Sequence, residues 1–369
     1  MGNKAIIKTQ VEELLKVLAE EDNITWLMIY NQQVKIPVLE LEAYAEELKK
    51  NGIRFISAAC KNSNIYTAFF SIEKKLICYL IENKTDIIHC RGYITTLLAN
   101  ICKTKEKVIF DMRGVFPQEN RLNKRIPINY IFYYLWNIIE FFNVRDSDKV
   151  ITVTDYFKTY VLSMHSCRED KVKVIYNCVN TERVFFSSEW RNRIRHELGC
   201  EDSYVVVFSG SIVDKWQSFD TISKMYNTIS QRMSNTKFIL LTRDNRVDFS
   251  RYGLKTDNII VKYVDNSDVY KYLSASDVAL LVRNDDIINA VAFPVKFAEY
   301  MACGVPVIIN GSMKGLIEII NGKGIVYNGD DRILEELQNL KRESCIQFSK
   351  EYLDTKIVAS KYQMLYQEL

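Results

Sequence analysis

The sequence predicts an α/β protein of two doubly wound parallel sheets, and three observations carry that expectation. Short β-rich runs alternate with helical patterns along the chain, the signature of β-α units whose helices cover both faces of a parallel sheet. The alternation breaks once, after Asn180, at a segment TERVFFSSEW with neither a strand nor a helix period. A chain of 369 residues is also longer than one hydrophobic core usually organises.

In the first half the expected strands are Ile24–Tyr30, Arg54–Cys60, Asp86–Cys90, Lys107–Asp111, Lys149–Thr152 and Lys173–Tyr176. Helical patterns lie between them at Val38–Asn51, Ser71–Asn83, Tyr93–Cys102, Asn129–Asn143 and Tyr156–Met164. In the second half the strands are Tyr204–Ser209, Lys237–Thr242, Asn258–Val264, Asp277–Val282, Val305–Asn310 and Gly324–Tyr327. Helices fit Glu189–Leu198, Ser218–Met233, Ser267–Ala275, Pro294–Cys303 and Asp330–Leu340. The two domains are expected to cover residues 1–180 and 181–350. In open sheets of this kind ligands bind beyond the carboxyl ends of the strands, and two facing sheets would put that crevice between the domains.

Composition narrows the function. Lysine and arginine number 49 against 46 acids, a net charge of +3 that does not call for nucleic acid as a partner. Nine cysteines without a C-x-x-C pair, and only His89, His165 and His196 among them, speak against a disulfide framework and against a metal site. The start MGNKAIIKTQ lacks the apolar run of a signal peptide, and Ile6 stands where a myristoylation motif has Ser or Thr. The expected location is the cytoplasm.

The segment Ala290 to Asn310, AVAFPVKFAEYMACGVPVIIN, is the most informative. Its charged residues are Lys296 and Glu299, three apart and so on one face of a helix that Pro294 can open. Gly304 ends that helix, and a buried strand follows. Two charges on an otherwise apolar helix need partners. They either pair with each other, or Glu299 accepts hydrogen bonds from a diol while Lys296 and the helix N-terminus face an anion. A nucleoside diphosphate supplies both groups.

The run Phe293 to Ile309 resembles the donor-site signature of the retaining GT-B glycosyltransferases, most closely family 4 and its bacterial polysaccharide (capsule, O-antigen, exopolysaccharide) branch. VFSGSIVDKW and VKYVDNSDVYKYLSASDVALLVR resemble further parts of the donor domain, and DIIHCRGY and VIFDMRGVFPQE resemble two acceptor-domain motifs of the same branch. The resemblance implies two facing Rossmann-like domains with a cleft between them, and a final helix near 351–369 packed back on the first domain. It implies a retaining, metal-independent transfer of a hexosyl or other sugar from a nucleotide-diphosphate sugar to a glycan or lipid-linked oligosaccharide, with no cofactor. Glu299 would hold the ribose hydroxyls. Gly210 and Ser211 match the phosphate-facing loop, and Lys215 lies near its phosphate-binding lysine, although Trp216 replaces the glycine that usually follows. Val291 stands where the family has the first acid of its glutamate pair. Asp285 or Asp286 could reach the sugar in its place, or could form a solvated turn. That departure leaves a second reading open, a non-catalytic subunit that binds glycan or nucleotide within an assembly.

In the first half, His89 and Arg91 alternate at a strand end, as do Asp111 and Arg113, so each pair can share a face at the sheet edge. Their expected catalytic role is to position the acceptor hydroxyl and stabilise the departing diphosphate. The longest apolar stretch, Ile126 to Val144, contains Asn129, Asn137, Glu140 and Asn143 and is too polar to span a membrane. With Arg121, Lys124 and Arg125 before it, residues 121–144 read either as a helix packed on the first sheet or as a peripheral contact with an anionic inner-membrane surface.

Overall fold

A computed structural model of the chain describes residues 7–31, 36–60, 74–75, 77–79, 81–123, 128–214, 217–244, 247–254, 256–327 and 333–369. The chain divides into two compact units, Met1–Ile175 with Val358–Leu369, and Tyr176–Ile357. Residues 351–357 thus stay with the second unit.

The first unit runs α1 (Glu13–Leu18), β1 (Ile24–Asn31), α2 (Val38–Lys50), β2 (Ile53–Cys60), β3 (Ile87–Cys90), α3 (Tyr93–Cys102), β4 (Lys107–Asp111), α4 (Phe116–Asn123), α5 (Ile128–Asp146), β5 (Lys149–Thr152), α6 (Asp155–His165) and β6 (Val172–Val174). Among the described residues the strand pairs are parallel and fall into two ladders, β1-β2 and β3-β4-β5-β6, where one sheet was expected. Val108, Ile109 and Phe110 of β4 are fully buried, as befits a central strand covered on both faces. The N-terminus of α6 is capped by Thr154, whose hydroxyl accepts the Phe157 N–H at 3.1 Å. Of the helix expected at Ser71–Asn83, residues 74–75, 77–79 and 81–82 are helical, and residues 71–73, 76 and 80 lie outside the described residues.

The second unit runs α7 (Ser188–Glu197), β7 (Tyr204–Ser209), α8 (Phe219–Arg232), β8 (Thr236–Leu241), β9 (Ile259–Lys262), α9 (Val269–Ala275), β10 (Val278–Leu281), α10 (Ile287–Val291), α11 (Val295–Ala302), β11 (Val307–Asn310), α12 (Lys314–Ile317), β12 (Gly324–Tyr327), α13 (Ile333–Gln338) and α14 (Arg342–Phe348), followed by the final helix α15 (Thr355–Gln367), which contributes to the first unit from Val358 onward. Its six strands are parallel in the order β12-β11-β10-β7-β8-β9. The chain therefore starts in the middle at β7, winds outward through β8 and β9, and returns to the other side of β7 at β10. The boundary between β7 and β10 is the topological switch point, where open α/β sheets bind their ligands beyond the carboxyl ends. Val206 and Phe208 of β7, Phe238 and Leu240 of β8, and Tyr226 of α8 share one buried cluster under this edge.

Among the described residues no helix is long and apolar enough to cross a membrane. Glu140 and Asn143 of α5 face inward. Glu140 is buried, accepting a hydrogen bond from Tyr93 Oη at 2.6 Å and lying 3.0 Å from His165 Nε2, and Asn143 Nδ2 donates to the Tyr93 carbonyl at 2.8 Å. Burial first, then the adjacent Glu140 carboxylate, raises the Tyr93 pKa well above its ordinary value. The opposite face of α5 carries Tyr130, Ile131, Tyr134, Leu135, Ile138 and Phe141, all exposed, Ile131 by 69% and Tyr134 by 64%.

Candidate functional site

Two clusters form at strand ends, one in each unit. In the second unit, β7 ends at Ser209 and Gly210 follows with φ +156°, a backbone that side chains rarely adopt. A Cβ on Gly210 would lie 3.0 Å from Gln217 Nε2, so the chain closes tightly here. Ser211 Oγ donates to Asp244 Oδ2 at 2.8 Å, and the Ile212 N–H reaches the same oxygen at 2.6 Å. Burial alone would raise the Asp244 pKa, but the hydrogen bonds from Ser211, Ile212, Val213 and Thr242 outweigh it and hold the carboxyl low. The loop thus presents backbone to a ligand while the Ser211 hydroxyl is engaged by Asp244. Lys215 lies outside the described residues.

Helix α11 packs against this turn. Tyr300 Oη is fully buried and accepts the Ser209 N–H at 3.1 Å, tying the helix that carries Lys296 and Glu299 to the carboxyl end of β7. Pro294 is the residue just before the helix, with ψ 137°, and α11 begins at Val295. Lys296 Nζ lies 2.8 Å from Glu299 Oε2, both side chains partly exposed. Without a ligand the two charges satisfy each other. Gly304 closes the helix with φ +62°, its N–H bonded to Met301 O and the Val305 N–H to Tyr300 O, the paired bonds of a Schellman cap.

Val291 is fully buried, so its side chain offers nothing to a sugar. Asp286 caps α10, accepting the Asn289 N–H at 2.8 Å, and its other oxygen accepts from Asn289 Nδ2 at 3.0 Å. The turn reading therefore describes Asp286, and Asp285 is exposed beside it.

In the first unit the two alternating pairs form one cluster with Asp111 as its hub. Asp111 is 1% exposed and contacts Arg113 Nε at 2.7 Å, His89 Nε2 at 3.2 Å and Arg91 Nε at 3.7 Å. The register explains it: His89 pairs with Ile109 and Cys90 with Phe110 across β3 and β4, so Arg91 and Asp111 lie level with each other two residues beyond the His89–Ile109 pair. Burial alone would raise the Asp111 pKa, yet Arg113, then His89 and Arg91, hold it far below the usual carboxylate range. Sequence reasoning missed the third side of this cluster. Tyr362 and Tyr366 of α15 bring hydroxyls to it, Tyr362 accepting from Arg113 Nη2 and Tyr366 lying 2.8 Å from His89 Nδ1. His89 thus sits between Asp111 on its Nε2 side and the Tyr366 hydroxyl on its Nδ1 side. No signal near His89 or Asp111 could have pointed to residues more than 200 positions away.

A cavity of 290 Å³ lies at the opposite, amino-terminal edge of the second sheet, lined by Arg191, Tyr204, Asp277, Pro306 and Arg342 among others. Arg191 and Arg342 donate there to the carbonyls of Ser274, Ser276 and Cys303, so their charges brace the fold. Among the described residues no group of three or more His, Cys, Asp or Glu is placed to hold a metal ion.

Residues 10–183 match the family described as Glycosyltransferase Family 4, and residues 203–341 match Glycosyl transferases group 1. An uncharacterized glycosyltransferase of Methanocaldococcus jannaschii is 24% identical over 267 residues, 68% of this chain and 63% of that protein's length. Among solved structures, a glycosyltransferase from Rickettsia africae aligns with TM-score 0.64 and 17% identity over 94% of this chain and 98% of its own. The Anabaena protein HepE, in complex with UDP and glucose, aligns with TM-score 0.65 and 13% identity over 94% and 100%. The fold these alignments share is GT-B, with parallel sheets in two α/β domains.

Proposed function

Because the chain is built of two glycosyltransferase-family domains, we propose that it transfers a sugar from a nucleotide-diphosphate sugar to a glycan acceptor, lipid-linked and bound for surface polysaccharide, with retention at the anomeric carbon and without a metal ion. The observation that carries the reading is the Tyr300–Ser209 hydrogen bond, which sets Glu299 and Lys296 beside the Gly210 turn at the switch point of the second sheet. A diol-accepting carboxylate, a cation and close backbone are what a ribosyl diphosphate requires. That HepE is solved with UDP and glucose supports this donor class.

On binding, the Lys296–Glu299 pair opens, Glu299 taking the ribose hydroxyls and Lys296 turning to phosphate. The anomeric carbon–oxygen bond to the diphosphate breaks while the acceptor oxygen bonds on the same face, and the acceptor proton passes to the departing phosphate oxygen. Asp111 fixes Arg91, Arg113 and His89, and this cluster, one carboxylate among two guanidinium groups, holds the acceptor hydroxyl in place. Purified protein should release nucleoside diphosphate from at least one of the UDP-, GDP- or ADP-sugars, and release should persist in EDTA. Glu299→Ala should weaken binding of that donor by about 1–3 kcal/mol, the loss of a charge-assisted acceptor. Unchanged donor affinity in that variant sinks the assignment, and donor binding with neither hydrolysis nor transfer selects the non-catalytic reading.

The exposed stripe on α5 is the surface we assign to a membrane. Arg121 stacks over Tyr130 and Tyr133 at 5.5 Å, and Arg145 over Phe142 at 4.5 Å, an arrangement of apolar and aromatic side chains bounded by cations that suits an anionic headgroup layer. Sedimentation with vesicles of phosphatidylcholine and phosphatidylglycerol should deplete the protein from solution. Replacing Ile131 and Ile138 together with glutamate should abolish that depletion and leave the melting temperature unchanged; persistence of sedimentation in the double variant refutes the surface.

A further inference from the structure

Arg283 follows β10 by two residues, on the carboxyl side of the switch point between β7 and β10. Its backbone is fixed on three sides. The Arg283 N–H donates to Asn310 Oδ1 at 3.2 Å, its carbonyl accepts from Asn310 Nδ2 at 2.7 Å and Ser312 Oγ at 3.0 Å, and it forms a bridge with Gln217. That bridge places Arg283 against the end of the loop that begins at Gly210.

The side chain is treated quite differently from the other buried arginines of this unit. Arg191 and Arg195 each reach Asp277 at 2.6 Å and donate further to backbone carbonyls. Arg283 is largely buried, its Nε is shielded from solvent without a hydrogen bond, and no described carboxylate lies within 4.0 Å of it. The acids whose fields it feels, Asp214 and Asp286, act from a distance, and both Asp286 oxygens already bond Asn289. Burial lowers the Arg283 pKa, yet a guanidinium stays protonated at neutral pH. A buried cation without a counter-charge is unfavourable, and folds retain such groups where a ligand supplies the missing charge. Of the neighbouring groups, Ser211 is held by Asp244, and Lys296 is paired with Glu299 until a ligand opens that pair, so Arg283 is the cation already free of a counter-charge.

We infer that Arg283 is the principal diphosphate-binding side chain of the donor site, its guanidinium donating to the non-bridging oxygens of the nucleoside diphosphate. The inference rests on the donor-site reading above and adds a residue and a role to it. The planar fork of donors suits paired phosphate oxygens, and release of the sugar leaves its extra charge on those oxygens.

The test uses the full chain, with UDP, GDP and ADP and their monophosphates as calorimetric probes, and melting temperatures of the ligand-free proteins. For the base that binds, the wild type should favour diphosphate over monophosphate by at least about tenfold. Arg283→Gln should reduce that ratio to below about threefold, Arg283→Lys should restore part of it, and the ligand-free Arg283→Gln protein should melt at or above the wild-type temperature because an uncompensated charge has gone. If Arg283→Gln keeps the tenfold ratio, or fails to fold or melts several degrees low, Arg283 is a structural residue and the inference falls while the donor site stands. If the wild type binds none of the six nucleotides, the donor-site reading falls and the inference with it.

Discussion

Asp111→Ala should remove about 3–5 kcal/mol from the stability of the first unit, the usual consequence of deleting one partner from a buried ion pair. The carboxylate is 1% exposed and lies within 4.0 Å of Arg113, His89 and Arg91. Removing it leaves two partly buried guanidinium groups without the counter-charge they share. Hydrogen exchange at the β3 and β4 amides is the sharpest readout, because it reports this unit separately from the second. Transfer should fall in parallel, by about a hundredfold or more in kcat/KM, since Arg91, Arg113 and His89 lose the group that orients them.

The pH dependence follows from the same contacts. The folded-state pKa of Asp111 is depressed, so its contribution is fully present above the unfolded value of about 3.9 and is lost as pH falls through and below it. The arginines stay charged throughout. Acid unfolding of the first unit should therefore begin below about pH 5 in the wild type, whereas Asp111→Asn should start from lower stability and show a shallower acid limb. An unaltered acid limb in that variant would show that the carboxylate is not held as the geometry requires.

How far the sequence discloses this molecule depends on how local the cause is. Strands β4, β5, β7 and β12 have the residues expected of them, Lys107–Asp111, Lys149–Thr152, Tyr204–Ser209 and Gly324–Tyr327, because a short apolar run bounded by polar or glycine residues is decided within its own span. Helix α11 and its glycine stop were equally legible. The Asp111 hub was half visible: the alternation of His89 with Arg91 and of Asp111 with Arg113 is local, but their union depends on β3 lying beside β4 and on two tyrosines of α15. Arg283 gave no signal, since a charged residue after Leu280-Leu281-Val282 ordinarily marks a return to solvent. Its place in the fold is set by Asn310, Ser312 and Gln217, which no periodicity around position 283 encodes. Helix α5 hid its orientation for the opposite reason. Apolar residues surround it, so the pattern could not show that Glu140 and Asn143 face inward while Ile131 and Tyr134 face out.

Gly304→Ala should cost about 2–5 kcal/mol, and the reason separates into two parts that a second glycine distinguishes. At φ +62° any side chain meets the left-handed penalty of about 1–2 kcal/mol. A Cβ at 304 would also stand 2.3 Å from Arg342 Cγ and 3.0 Å from two carbons of Ile346. Arg342 cannot swing away cheaply, because its guanidinium donates to Cys303 O and Ser276 O at 2.8 Å each. Relieving the clash means moving α14 or breaking those bonds, about 1–3 kcal/mol more by the usual measure of overpacking. At Gly322, where φ is +69°, a Cβ would meet nothing within 4 Å, so Gly322→Ala should show the backbone penalty alone. The difference between the two variants in denaturant unfolding is the packing contribution, and equal losses would refute the clash. Because Gly304 closes the same short helix that carries Lys296 and Glu299, its variant should also bind donor more weakly even where it is fully folded, whereas Gly322→Ala should bind as the wild type does.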